Sequence, residues 1–237
     1  GWDKLKMKII ILIIFISVVC FISVKEYNKK VINYTIIGDK SLFSNTVKSV
    51  NYVDLISNYL LEEDKLGFYS KDFIYENIRV TDLLNKIKEN DIQDDLSIQN
   101  ILNKTNLLVI NIGNNELNYK ISNIDVENAN DKYIYKYLDE VINDIMHLLY
   151  KIDNISKANI IFIGYYNDTV NSYNDRYYDY INSKLEKKLK KLNITYINTQ
   201  KILNEKRSYL DIDKNVYITS NGNIRLYDVI LSKIKEI

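Results

Sequence analysis

The chain has 237 residues, 46% of them hydrophobic and 27% charged, a balance that excludes a disordered polar chain and allows one domain with a full hydrophobic core. Its formal net charge of +1 excludes both the basic excess of a nucleic-acid binder and the acidic tail of a cation buffer. One cysteine rules out a disulfide framework, and one histidine with no carboxylates at ligand spacing leaves neither a metal site nor a cofactor to expect.

The first element is an apolar run, IIILIIFISVVCFISV, over residues 9–24. Lys4, Lys6 and Lys8 precede it, and Lys25, Lys29 and Lys30 follow. Sixteen helical residues rise about 24 Å against a bilayer core of about 30 Å, and snorkelling lysines with Trp2 at the interface can cover the difference. No small-x-small cleavage site follows, so the run predicts an uncleaved transmembrane anchor over 9–25, with residues 1–8 cytoplasmic and the domain outside the membrane. The alternative is secretion after signal cleavage. Met7-Lys8 ahead of the run has the form of a natural start, with GWDKLK as an addition. Residues 26–33 are the expected tether, and 34–237 the expected domain.

Beyond the tether, short β-rich runs alternate with helical periodicity. Residues 34–37 (YTII) predict a strand ending in Gly38-Asp39, and 53–61 (VDLISNYLL) a helix. A strand-like stretch follows at 68–74, then helical pieces at 80–87 and 98–102. Residues 107–112 (LLVINI) predict a buried strand closed by Gly113, and 133–152 a long amphipathic helix. Another buried strand at 159–163 (NIIFI) is closed by Gly164. A charged amphipathic helix at 177–192, a strand at 194–197 and a final helix at 221–237 complete the chain.

Strands that are apolar throughout and alternate with helices predict a mainly parallel five-stranded sheet covered on both faces, a three-layer α/β/α sandwich of flavodoxin-like type. Right-handed crossovers put every strand's carboxyl end on one edge, where open α/β sheets bind ligands. Gly38-Asp39, Gly113-Asn114-Asn115 and Gly164-Tyr165-Tyr166-Asn167 gather there. The tyrosines at 165, 166, 173, 177, 178 and 180 either line a glycan or lipid cleft at that edge or lie on the surface of a tyrosine-rich chain.

Four segments in order carry a resemblance: YTIIGDKSLFSN, FYSKDFIYENIRVTDLLNKI, LLVINIGNNEL and VYITSNGNIRLYDVI. Together they resemble the SGNH/GDSL hydrolases, in particular the membrane-anchored forms of low-GC bacteria, over roughly residues 34–237. The resemblance implies ester or O-acetyl hydrolysis by a serine after Gly-Asp. It also implies an oxyanion hole using a glycine of the second segment and an asparagine of the third, and a C-terminal Asp and His completing the triad. A serine hydroxyl is a poor nucleophile until a base takes its proton, and amide donors must meet the developing oxyanion.

Carried over position by position, the match is partial. Asn115 stands at the oxyanion asparagine, with Gly113 before it and Glu116 in place of the usual Asp. Asp39 is the Asp of the first segment, Lys40 follows it directly, and Ser41-Leu42 is then the Ser-Leu pair with Lys40 inserted. Asn77 aligns with the second-segment glycine. Tyr217 stands where the histidine is expected and Lys214 where the Asp is expected, with Asp211 and Asp213 nearby. The one histidine, His147, falls within the long helix and reads as a helix-surface or half-buried residue. Triad His and Asp are therefore not found. The expectation is an SGNH-like exported domain, impaired or inactive, binding a cell-envelope glycan, lipid or protein at the strand edge. The alternative is a divergent serine esterase or deacetylase with Ser41 as nucleophile.

Overall fold

A computed structural model describes residues 2–27, 30–40, 51–122, 124–125, 130–212 and 216–237. It divides into two units, Gly1–Val31 and Ile32–Ile237. The first unit carries helix α1 (Trp2–Tyr27). The side chains of Ile9 to Ile16 on it are exposed, as are those of Val18 and Val19. Among the described residues no helix is long and apolar enough to cross a membrane. The expected spanning helix is thus not met within the described residues.

The second unit is a three-layer α/β/α sandwich. Its parallel strands are β1 (Ile32–Asp39), β2 (Leu66–Tyr75), β5 (Leu107–Asn111), β6 (Asn159–Ile163) and β7 (Thr195–Ile197), in the spatial order β2-β1-β5-β6-β7. Strands β3 (Ile92–Gln93) and β4 (Leu96–Ser97) form a small antiparallel hairpin, turned by Asp94 and Asp95 with φ of 46° and 63°. The sheet order is the flavodoxin-like one, with β1 at the point where the winding reverses direction.

Alternation within each strand builds two cores. Leu108, Ile110, Ile160 and Phe162 face a layer of α3 (Val80–Glu89), α4 (Ile98–Lys104), α5 (Asn114–Ile121), α6 (Asp131–Asp153) and α7 (Asp175–Lys190). Leu107, Val109, Ile161 and Ile163 face α2 (Tyr52–Glu62), α8 (Thr199–Leu203) and α9 (Ser220–Lys235). Helix α6 earns its place by spacing: Leu138, Val141, Ile142, Ile145, Leu148, Leu149 and Ile152 fall on one face and are all buried. Both faces of β5 and β6 are covered, which is why those strands read as continuous apolar runs.

Several elements depart from the sequence reading. Helix α5 follows Gly113 immediately. An antiparallel hairpin of β8 (Leu210–Ile212) and β9 (Val216–Ile218) precedes α9, where the sequence predicted no strand. These elements are short, eight residues in α5 and three in each strand, so no apolar period marks them.

Candidate functional site

The carboxyl ends of β1, β5 and β6 meet through a chain of polar contacts. Gly38 of β1 pairs in register with Asn111 of β5. Its φ is +127°, and a Cβ there would overlap the Asn111 carbonyl oxygen, so only glycine lets the two backbones approach. Asn111 Nδ2 donates to the Asp39 carbonyl at 3.2 Å, and Asn114 Nδ2 to Asn111 Oδ1 at 2.8 Å. Gly113, with φ of +104°, turns the chain from β5 into α5. The carbonyl before it, of Ile112, accepts from the Tyr165 hydroxyl at 2.6 Å, tying the turn after β6 to the turn after β5. The three glycine-marked turns are therefore brought to one edge.

Asn115 is the hub. Its Nδ2 donates to the carboxylate of Asp39, which is 2% exposed, and to the Ile78 carbonyl at 2.7 Å. An amide nitrogen carries two hydrogens, and both are committed to the protein here. Asn77, one residue before Ile78, has φ of 52°. That left-handed turn is open to glycine and, among side-chain-bearing residues, most readily to asparagine, which accounts for Asn at a position the resemblance gives to Gly.

Glu116, the next residue on α5, is 4% exposed. Its Oε1 accepts from the Val80 backbone N–H at 2.7 Å, at the first turn of α3, where a carboxylate also meets the positive end of the helix dipole. Arg79 Nε lies 3.9 Å away, and Oε2 is buried with no hydrogen-bond partner. Burial pushes the Glu116 carboxyl up despite the Val80 hydrogen bond. Glu116 thus braces the Asn77–Ile78 turn against the helix that carries Asn115.

Lys40 leaves the end of β1 exposed and pairs with Glu76, Nζ to Oε1 2.6 Å. The hydrogen bond from Lys40 holds the Glu76 carboxyl below the usual range. Ser41 and Asp213 lie outside the described residues, as does Lys214. Tyr217 sits half-buried on β9, paired across the hairpin with Asp211. The strand is docked to the turn after β6: Val216 N–H donates to the Asp168 carbonyl at 3.3 Å, and the Tyr166 hydroxyl to the Val216 carbonyl at 3.5 Å. Burial, with Asp168 and Tyr217 adding to it, pushes the Tyr166 phenol up, so it stays protonated at neutral pH.

His147 is exposed on α6, near that helix's carboxyl end. Because α6 then feeds into the start of β6, His147 belongs to the end of the sheet opposite the Gly164 turn. The tyrosine-lined cleft is corrected: Tyr165, Tyr177 and Tyr178 are core residues, at most 2% exposed, and Tyr180 donates to Asp139 at 3.0 Å on the α6–α7 seam. They are held there because each large ring buries between α6, α7 and the sheet while its hydroxyl finds a partner. Among the described residues no group of three or more His, Cys, Asp or Glu could hold a metal ion.

Sequence reasoning missed Asp168. Its carboxyl accepts from the Tyr178 hydroxyl at 3.1 Å, and burial raises its pKa. One Asp in a polar turn (YYND) carries no signal of that burial in the sequence.

Chains of known structure share this fold. A lipase from a goat rumen metagenome superposes with a TM-score of 0.68 at 17% identity, covering 84% of this chain and 95% of that one. The acetylxylan esterase of Geobacillus stearothermophilus gives a TM-score of 0.62 at 19% identity, covering 85% and 93%. The fold is SGNH/GDSL hydrolase-like. At these identities the likeness is one of fold. No protein-family model and no curated protein sequence matches the chain. Within that SGNH-like frame, the Asp39–Asn115 contact joins the first and third segments of the resemblance, and Asn77 turns the second toward them.

Proposed function

We propose that this SGNH-like domain has lost efficient serine hydrolysis and serves as a binding domain at its strand-end edge, with a cell-envelope component as ligand. The observation that carries the reading is the whereabouts of the chain's one imidazole: His147 is exposed on α6, and a tyrosine, Tyr217, stands at the edge position where the resemblance places histidine. A phenol is a far poorer general base than an imidazole at neutral pH, and loss of the base costs serine hydrolases several orders of magnitude in rate. The Asn115 amide supports the same reading. Both of its hydrogens are spent on Asp39 and Ile78, leaving none for a developing oxyanion.

The apolar run at 9–24 supports attachment to a membrane, and the outer side is the placement we take for the domain, since lysines on both flanks favour neither orientation. Cell fractionation of the natural chain, with and without residues 9–24, tests that placement.

The test of the chemistry is a short-chain aryl ester and a fluorophosphonate label. The expected result is no turnover above background and no labelled serine. Turnover that disappears in Ser41→Ala, with label on Ser41, would establish instead a divergent esterase. That second reading draws on the esterase and lipase chemistry named for the chains of like fold.

A further inference from the structure

Beside the strand edge, a groove of about 440 Å³ is lined by Lys40, Asn51, Val53, Asp54, Lys71, Ile74 and Glu76. It lies between the end of β1, the first turn of α2 and the edge strand β2, and its volume falls within the usual range for small-ligand sites. From these walls we propose that the groove is a subsite for a neutral polyhydroxylated ligand, a segment of oligosaccharide. The proposal rests on the binding reading above and names the ligand class.

Charge pairing decides against an ion. Lys40 is paired with Glu76 at 2.6 Å, and Lys71 with Asp54 at 3.1 Å. The walls thus hold two cations and two anions already matched, and an anionic or cationic ligand would have to displace a partner. A hydroxyl does not. It donates and accepts at once, and the groove offers both roles within a short span. Each ammonium has hydrogens beyond the one in its ion pair. Each carboxylate has acceptor capacity beyond it, although Asp54 also accepts from the Tyr69 hydroxyl at 2.9 Å. The side-chain oxygen of Asn51 caps α2 by accepting from Val53 N–H at 2.9 Å, which leaves its amide hydrogens for a ligand. Val53 and Ile74 supply an apolar surface suited to the C–H face of a sugar ring. Donors, acceptors and a small apolar patch, with no surplus charge among the described lining residues, are the recognition chemistry of a neutral glycan.

The proposal is tested by calorimetric titration of the full chain in detergent with two neutral probes, chitotetraose and xylotetraose, and with inorganic phosphate. The expected result is saturable binding of at least one tetrasaccharide, unchanged when salt is raised, and no competition by phosphate. Asp54→Asn and Lys71→Met should each weaken it about tenfold, the scale of one hydrogen bond to a charged group. Both side chains are about half exposed, so both variants should keep the wild-type circular dichroism and unfolding midpoint. Binding of phosphate but of neither tetrasaccharide would overturn the proposal, as would folded variants that bind like wild type. Loss of binding in Asn115→Asp or Tyr217→Phe alone, with Asp54→Asn and Lys71→Met unaffected, would overturn the groove and leave the strand-edge reading standing. Ester turnover by the wild type would sink the loss of hydrolysis and leave the groove untouched.

Discussion

The Asn115 amide donates to the Asp39 carboxylate and so joins the end of β1 to the first turn of α5. Asp39 is almost wholly buried; Asn111 meets its carbonyl and Asn115 its carboxylate. Asn115→Ala removes a donor from a buried acceptor and from the Ile78 carbonyl. The expected loss is about 1–3 kcal/mol in urea unfolding, well above a surface substitution. An unchanged midpoint would show that water replaces the amide at no cost.

Gly38 and Gly113 should tolerate no side chain. At Gly38 the added Cβ meets backbone of the neighbouring strand, which cannot rotate aside. Gly38→Ala is expected to abolish folding or to lower the unfolding midpoint drastically. At Gly113 the Cβ meets the Tyr165 ring, whose hydroxyl is needed by the Ile112 carbonyl. Gly113→Ala should cost about 1–3 kcal/mol from φ alone, with more from the displaced ring. Thermal unfolding of each variant measures both effects.

Stability should fall as pH rises from about 4 toward neutral. Burial raises the folded-state pKa of Glu116 and of Asp168, whereas unfolded carboxyls titrate near 4. Between those values the folded chain holds protons that the unfolded chain has released, so the stabilisation present below pH 4 is lost through the folded pKa. Glu116→Gln keeps an oxygen acceptor for Val80 N–H and removes one titration. It should flatten the pH dependence in part, Asp168 supplying the remaining slope. Glu76, Asp91 and Glu205 are shifted the other way by their partners, and their contribution is lost only as pH falls below the unfolded value. Unfolding midpoints at a series of pH values, wild type against Glu116→Gln, check the sign.

His147→Ala should change stability by less than about 0.5 kcal/mol, since the ring is exposed on a helix surface. Ligand binding and any ester turnover should also be unaffected. A loss of turnover in this variant would mean that the imidazole takes part in the chemistry.

The layer architecture was legible because apolar runs at 107–112 and 159–163 can only be strands buried on both faces, and because the 133–152 period of 3.6 can only be a helix with one buried stripe. The gathering of the Gly38, Gly113 and Gly164 turns followed from parallel winding alone. Helix α5 and the β8–β9 hairpin were hidden, because elements this short show no period.

By itself the sequence determined the sheet, its two covering layers, the edge at which the strands' carboxyl ends gather, and the presence of a single imidazole. Those follow from hydrophobic period and chain winding, which are local properties. Only the tertiary structure decided that Asn115 spends both amide hydrogens on Asp39 and Ile78, that Glu116 is a buried carboxyl and Asp168 a half-buried one, that Tyr165, Tyr177 and Tyr178 are core, and that Lys40 faces Glu76 across a groove. Each depends on which distant residues share a volume, and burial and hydrogen-bond partners are set by that packing and not by neighbours along the chain.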